Sequence, residues 1–424
     1  MSKRRAALLG RLGAAGAAMV LLAACGAQQS SVQQAKTVPG VTNDTISLGA
    51  TYPLSGSATA YAPLAVGANA YFQYVNDHGG VNGRKIKYTV LDDQYLPANT
   101  PAKARELVEE DKVFATFGNL GSPTNAAVRP YYNQQKVPQL FVFTGNTLWG
   151  SQYDKYPWTL GWQPDYQSEA KLYARYLLQN TPSAKIAVLY QNDVYGQDYL
   201  TGFKTGLGSK ADSMIVKTAT YNAGDPVNMS SQVATLKSSG ADTFFVVTTP
   251  AYSASALVEM AKQGWSPHLF INDVGADALT MTKVAQSLGS GAAIDGAISS
   301  QYAKDPNDPR WASDHGMQLY KQILDKYPSS YGVTCQVQNL FCIVGMGFAY
   351  STVDVLKKAG KDLTRENVRD IAASNLNESD NPFLLPGIVV HTTKTDHFPI
   401  RQLQLQKWQG SRWVPFGEVM NGRT

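Results

Sequence analysis

The chain has 424 residues, of which 44% are hydrophobic and 16% charged, a balance typical of a soluble globular protein large enough for two domains. Its formal charge is +5, but four basic residues and no acidic residue precede Cys25, so the remainder carries +1. A nearly neutral body lacks the clustered basic face that nucleic-acid binding requires, and we expect no nucleic-acid partner.

Residues 1–24 have the pattern of a secretory signal peptide. A basic start is followed by an apolar stretch that is too short to span a membrane comfortably, and small residues precede Cys25. The sequence LAACG at 22–26 resembles a bacterial lipobox, which implies diacylglycerol on the Cys25 sulfur and a lipid anchor at the outer face of the cytoplasmic membrane. Residues 25–43 are then a flexible tether. An ordinary signal peptide with an incidental cysteine is the alternative.

From about residue 45, short β-branched runs alternate with longer helical patterns, which predicts parallel sheets joined by right-handed crossovers. The first series has predicted strands at 45–51, 85–92, 113–118 and 139–144, and helices at 63–77, 99–110 and 123–135. The second has strands at 185–190, 214–220, 243–248 and 268–272, and helices at 166–179, 196–206, 229–237 and 251–262. An extended stretch at 297–302, helices at 310–326, 341–359 and 365–373, and a hairpin at 401–419 complete the prediction.

The predicted fold class is therefore α/β, with two Rossmann-like open-sheet lobes facing one another across a ligand cleft. We assign 44–158 and 300–382 to lobe I, and 159–299 and 383–424 to lobe II. Three hinge crossovers are expected near 157–161, 297–302 and 383–390.

Cys335 and Cys342 are separated by six residues and belong to a chain that we expect in an oxidising compartment. These conditions predict a disulfide between them. A metal or redox pair is the alternative, but the spacing is not C-x-x-C and no histidine adjoins either thiol.

Motifs of the common enzyme classes are missing or misplaced. The sequence GLGSKA at 206–211 fits a dinucleotide-binding pattern but ends a predicted helix instead of opening one after a strand. No phosphate-binding G-x-x-x-x-G-K-[ST] loop or G-x-S-x-G elbow occurs, and none of the five histidines has H-E-x-x-H spacing. We predict no catalytic residue, no cofactor and no metal site.

Three blocks carry a family resemblance: SLGATYPLSG at 47–56, VNDHGGVNGRKI at 75–86 and VLYQNDVYG at 188–196. They resemble the leucine/isoleucine/valine-type periplasmic binding proteins, the substrate-binding lipoproteins of ABC importers. The order of elements is similar over most of 44–390. The GGVNGR block at 79–84 is the most specific, and the other two are shared with receptor domains of the same fold.

Open α/β sheets bind ligands at the carboxyl ends of their strands. The turn after strand 113–118 contains Gly121 and Ser122, with Ser122 a candidate helix cap, and free N–H groups at a helix start attract an anion. The resemblance assigns this turn to a ligand carboxylate, with the Ser122 hydroxyl as a second donor. A plain helix cap is the alternative.

The resemblance implies further ligand contacts on both lobes. These are Ser55, Gly145 and Thr147 in the first lobe and Tyr195, Tyr252 and Asp273 in the second. Amino-acid binders of the family pair the ligand ammonium with an acidic residue after the strand that corresponds to 268–272. Asp273 stands there with a shorter reach, and if it does not substitute, the ligand lacks an ammonium.

The resemblance thus implies a monomeric solute-binding protein and no enzyme. Its lobes close on a small amino acid, amide or carboxylate and dock on an ABC permease that a separate ATPase drives. A ligand-sensing receptor module of the same fold, not coupled to transport, is the alternative function.

Overall fold

The computed structural model describes residues 38–423. The predicted signal peptide, the lipidation of Cys25 and most of the tether lie outside the described residues. The α-helices are α1 (Ala62–Asp77), α2 (Thr100–Arg105), α3 (Ser122–Gln134), α4 (Leu148–Ser151), α5 (Tyr166–Asn180), α6 (Val194–Leu207), α7 (Ala211–Met214), α8 (Ser230–Lys237), α9 (Pro250–Lys262), α10 (Ala278–Ser287), α11 (His315–Lys326), α12 (Leu340–Ala359) and α13 (Arg365–Ser374).

The strands are β1 (Thr45–Tyr52), β2 (Lys85–Asp92), β3 (Ala115–Phe117), β4 (Gln139–Val142), β5 (Thr159–Gly161), β6 (Ile186–Gln191), β7 (Ile215–Tyr221), β8 (Thr243–Val247), β9 (His268–Ile271), β10 (Ile298–Gln301), β11 (Ser329–Ser330), β12 (Val333–Thr334), β13 (Asn377–Glu378), β14 (Val390–His391), β15 (Gln402–Gln409), β16 (Arg412–Pro415) and β17 (Met420–Asn421).

The first lobe is built on a parallel sheet with strand order β2-β1-β3-β4-β5. The order reverses between β1 and β3, so the loops after these strands diverge to opposite faces and leave a crevice at the carboxyl edge. Helices α1, α11, α12 and α13 pack together in this lobe. The crevice is where α3 begins.

The second lobe is built on a sheet with order β16-β15-β10-β9-β8-β6-β7, in which β15 and β16 are antiparallel additions to a parallel core. Here the order reverses between β6 and β8. The loops after those strands lead into α6 and α9, so this lobe presents a second crevice. The predicted α/β fold with two parallel-sheet lobes is confirmed, as is the hairpin of β15 and β16.

The chain crosses between the lobes three times, and two crossings differ from the prediction. Because β5 pairs with β4, Thr159–Gly161 belong to the first sheet, whereas the predicted boundary placed them in lobe II. At the second crossing, segment 302–304 pairs with segment 383–385. The Lys304 N–H donates to Phe383 O and the Leu385 N–H donates to Tyr302 O, both at 3.0 Å. Since β14 then pairs with β13, the third crossing follows His391 and reaches the second sheet at β15.

Two helices differ from the sequence prediction because of side-chain caps. The predicted helix 310–326 starts only at His315, because the Asp314 carboxylate accepts the Met317 N–H at 2.9 Å. Helix α10 was not predicted, and Asp277 caps it by accepting the Thr280 N–H at 3.0 Å. An aspartate whose carboxylate accepts the backbone N–H of the residue three positions later fixes the start of a helix.

Helices α1 and α12 pack backbone to backbone in the first lobe. A Cβ on Gly67 of α1 would overlap the Cys342 carbonyl oxygen, and one on Gly345 of α12 would overlap the Leu64 carbonyl oxygen. Helix α12 is long and apolar enough to span a membrane, but 78% of its apolar window is buried within the protein, as in a core helix. The Sγ atoms of Cys335 and Cys342, at the start of α12, are 2.12 Å apart.

Candidate functional site

The carboxyl ends of the two sheets meet at a small cavity, which we call the first chamber. From the first lobe come Ser122 at the start of α3 and Tyr95 from the turn after β2. The second lobe contributes Tyr166 of α5 and Tyr195 of α6. Since both lobes supply walls, opening the lobes exposes the chamber and closing them encloses it.

The start of α3 offers hydrogen-bond donors to this chamber. Gly121 holds the cap position with φ 97°, and a Cβ there would overlap the Tyr95 ring, so only glycine fits. A plain helix cap was the alternative reading of Ser122, but α3 begins at Ser122 itself and no side chain caps this helix. The hydroxyls of Ser122 and Thr144 are 2.5 Å apart. The Ser122 hydroxyl therefore makes no cap bond to the helix, and Ser122 lines the chamber. The first N–H groups of α3 have no hydrogen-bond partner within the helix.

Aromatic residues make up half of the residues that line the first chamber. The Tyr166 and Tyr195 rings meet edge to face with centroids 5.4 Å apart. The Tyr61 hydroxyl donates to Val274 O across the lobes at 2.8 Å, and the Tyr195 hydroxyl accepts from Asn272 Nδ2 at 2.6 Å. Burial raises the pKa of Tyr61 and Tyr195 well above the usual tyrosine range, so both are neutral phenols. None of the described residues that line this chamber is charged.

A direct polar contact between the lobes lies beside the chamber. The Asp198 carboxylate of α6 accepts the Thr147 N–H at 2.7 Å and the Thr147 hydroxyl at 2.9 Å. Asn146 Nδ2 donates to Val194 O at 2.6 Å. These bonds join the turn after β4 to the start of α6, so the structure records closed lobes.

The predicted contact residues of the first lobe differ in their placement. Gly121 and Ser122 line the chamber. Gly145 accepts the Tyr166 N–H at 2.7 Å and leaves room for the Tyr166 ring, so it positions a wall. Thr147 bonds Asp198 instead of facing the chamber. Ser55 is exposed and donates to Asp92 at 2.5 Å, outside the chamber.

In the second lobe the structure brings Tyr195 to the chamber, whereas Tyr252 is turned away. Tyr252 stacks on Tyr221 with ring centroids 4.2 Å apart, and its hydroxyl donates to Asp225 O at 2.5 Å. Tyr252 is not among the residues that line the first chamber.

Asp273 lines a neighbouring cavity, which we call the second chamber. The Asp273 carboxylate contacts the Tyr199 hydroxyl at 3.2 Å, and Glu169 accepts the Asp273 N–H at 2.8 Å. Burial first, and the Asp273 charge second, raise the pKa of Glu169 well above its usual range, and burial also raises the pKa of Asp273. Two close carboxyls in a buried site cannot both ionise readily, so the pair retains a proton.

Sequence reasoning missed Tyr61, Tyr95, Phe143 and Tyr166, which make up most of the aromatic wall. One signal was available for Tyr95, which follows β2 in the loop at the carboxyl edge of the sheet. Tyr166 follows the cap residue Asp165, whose carboxylate accepts the Ser168 N–H at 3.0 Å. Within residues 38–423, no group of three or more His, Cys, Asp or Glu side chains is placed to hold a metal ion.

Two α/β lobes that close on a cavity with neutral hydrogen-bond donors define a solute-binding protein. The family model for periplasmic binding proteins matches residues 45–412, and the chain belongs to that family. The resemblance found in the sequence is thereby confirmed. The family consists of extracytoplasmic binding proteins.

Known relatives agree with this assignment. The chain is 22% identical over 326 residues to Leu/Ile/Val-binding protein homolog 1 of Brucella abortus (strain 2308), covering 76% of this chain and 79% of the relative. A fatty acid ABC transporter substrate-binding protein from Thermomonospora curvata has a similar fold, with TM-score 0.74, 21% identity and coverage of 91% and 95%. A branched chain amino acid ABC transporter protein from Thermus thermophilus with bound valine gives TM-score 0.75, 17% identity and coverage of 90% and 97%.

Proposed function

We propose that this protein captures a small carboxylate outside the cytoplasm by closure of its two lobes and delivers it to an ABC permease that a separate ATPase drives. The observation that carries the proposal is the Ser122 and Thr144 hydroxyl pair, 2.5 Å apart at the open end of α3. Hydroxyls beside a helix N-terminus offer several donors to one anion.

The chemistry of the first chamber favours a carboxylate over a cation. A carboxylate there receives hydrogen bonds from hydroxyls and backbone N–H groups, and no acidic residue among the described lining residues repels it. The two neighbouring structures named above support the same class, since valine and fatty acids both carry a carboxylate.

An α-ammonium group on the ligand is not required by this site. Asp273 is engaged with Glu169 and Tyr199 and lines the second chamber, so the described residues of the first chamber offer a cation no carboxylate. Carboxylates without an amino group are therefore included in the proposed ligand class.

Lobe closure supplies the mechanism of capture. The ligand contacts α3 in the first lobe and Tyr195 in the second, so it stabilises the closed form through contacts that the open form lacks. The Thr147–Asp198 bonds stabilise the same closed form. The permease then recognises the closed surface, and the Cys25 lipid holds a monomeric protein close to it.

A thermal-shift screen of the purified protein tests the proposal. Butanoate, benzoate and valine represent carboxylates, and butanamide and benzamide are neutral controls of the same shape. At a hundred times its Kd, a true ligand adds about 2.7 kcal/mol to the free energy of unfolding. We expect carboxylates to raise the Tm and their amides to leave it unchanged. Amides that match their acids would contradict a carboxylate site.

A further inference from the structure

The second chamber lies between the lobes, next to the first, and is not assigned a role by the proposed function. Phe143 and Val274 line both chambers, so these two side chains are the partition between them. The other walls of the second chamber come from the loop after β9, from β10 and β15, from the crossing segment that follows β10 and from the start of α12. Any ligand that passes the partition reaches this space without leaving the lobe interface.

One side of the second chamber is apolar and the other is polar. Helix α12 presents Phe341 and Val344, both buried. The opposite side carries Ser300, Gln301 and Gln406. This division matches a molecule with an apolar body and a polar group at one place on its surface.

Most polar groups on that side already have partners. Gln406 Nε2 donates to Ser300 O at 2.9 Å, and the Ser300 hydroxyl accepts from Tyr173 at 3.1 Å. The Asp273 carboxylate accepts its neighbour's backbone N–H at 2.6 Å. Gln301 differs, because its Nε2 is buried without a hydrogen-bond partner while the residue is only 6% exposed.

Leaving a buried amide nitrogen without an acceptor costs free energy, so an acceptor brought to this wall by a ligand would stabilise Gln301. A hydroxyl or carbonyl oxygen is such an acceptor. We propose that the second chamber is a ligand subsite for the far end of an elongated carboxylate. The carboxylate binds at Ser122, the apolar body passes Phe143 and Val274, and a distal oxygen accepts from Gln301 Nε2. This inference rests on the proposed function, because it needs the carboxylate at α3.

Calorimetric titration with unbranched acids tests the apolar body. The probes are butanoate, hexanoate and octanoate. We expect affinity to rise about fourfold for each methylene that enters the second chamber. In Val344→Phe, which fills the chamber, the octanoate-to-butanoate affinity ratio falls at least about tenfold, and in Val344→Ala it changes far less.

The distal oxygen is tested with ω-hydroxyoctanoate against octanoate. In Gln301→Met, a change of similar shape that removes the donor, the affinity ratio of these two acids falls about tenfold. A ratio that stays constant in Gln301→Met, or equal affinity for all chain lengths, overturns the subsite. If Ser122→Ala still weakens the binding of butanoate about ten- to a hundredfold in that case, the proposed function stands. If no acid binds the unaltered protein, both fail.

Discussion

The hydroxyls of Ser122 and Thr144 are 2.5 Å apart although 22 positions separate them in the chain. Ser122 begins the helix after β3, and Thr144 follows the adjacent strand β4. Because both strands end at the same edge of a parallel sheet, the two hydroxyls meet although they come from different loops.

Replacing Ser122 by alanine is expected to weaken carboxylate binding about ten- to a hundredfold, the value of one hydrogen bond to a charged group. Isothermal titration with a carboxylate from the thermal-shift screen measures the change. Ser55→Ala is the matched control, since that hydroxyl bonds Asp92 outside the chamber and its loss should leave the Kd unaltered. Equal effects of the two changes would place the carboxylate elsewhere.

Thr147→Val removes one of the two bonds that Thr147 donates to Asp198 while keeping the shape of the side chain. The closed form should become less populated, and the apparent Kd should rise about three- to tenfold. Small-angle scattering of the unliganded protein should show a larger radius of gyration. Thr205→Val on α6, the helix that carries Asp198, is the control, because the exposed Thr205 hydroxyl donates to Thr201 O in the same helix.

Glu378 makes stability depend on pH in a defined window. Burial raises the pKa of Glu378 from 4.5 to about 7, and its Oε2 has no partner. The folded protein therefore retains a proton that the unfolded chain releases. Stability is full below pH 4.5 and declines as the pH rises to about 7, at about 1.4 kcal/mol per pH unit from this group.

Denaturant titrations across that window, with Glu378→Gln beside the unaltered protein, measure this contribution. The variant has no ionisable group at position 378. The free energy of unfolding of the variant, relative to that of the unaltered protein, should therefore rise with pH up to about 7 and then level off. Burial raises the pKa of Asp93 to about 6, but Asp93 titrates in both proteins. Its contribution to the free energy of unfolding therefore cancels when the two proteins are compared. Parallel pH profiles of the two proteins would show that Glu378 is not the titrating group.

Cys335 and Cys342 are placed to form a disulfide, with Cα atoms 6.0 Å apart. Closing this short loop should stabilise the folded state by about 2–3 kcal/mol. For a chain of this length, reduction should lower the Tm by about 3 °C. The Cys335→Ser/Cys342→Ser variant should have the lower Tm at the outset and show no response to reductant. An unaltered protein that ignores reductant would mean that the thiols are free.

The parts of the fold and site that depend on local pattern could be predicted from the sequence. Strand and helix alternation predicted both sheets, because apolar runs and turn residues are local signals. Gly121 and Ser122 were located in the same way, since a turn after a strand precedes a helix start. Tyr195 was located through the family resemblance and does line the first chamber.

The aromatic wall could not be predicted, because its members come from distant parts of the chain and each resembles a core residue in its own element. Tyr61 precedes α1 in the first lobe and Tyr166 begins α5 in the second lobe, and only the closed fold brings both to the chamber. Thr147 and Asp273 show the converse. Each stands at the position that the resemblance indicates, but Asp198 and Glu169, both from the second lobe, engage them.

The close packing of α1 against α12 links the two chambers mechanically. Tyr61 precedes α1 directly, Phe341 lies in the first turn of α12, and their rings meet edge to face with centroids 5.1 Å apart. Since Gly67 and Gly345 leave no gap between the two helices, one cannot slide past the other. If a ligand occupies both chambers as we propose, this pair of helices withdraws from both of its ends in the same movement when the lobes separate. Unloading at a permease would then be a single event, with no stage at which the solute is held by one end.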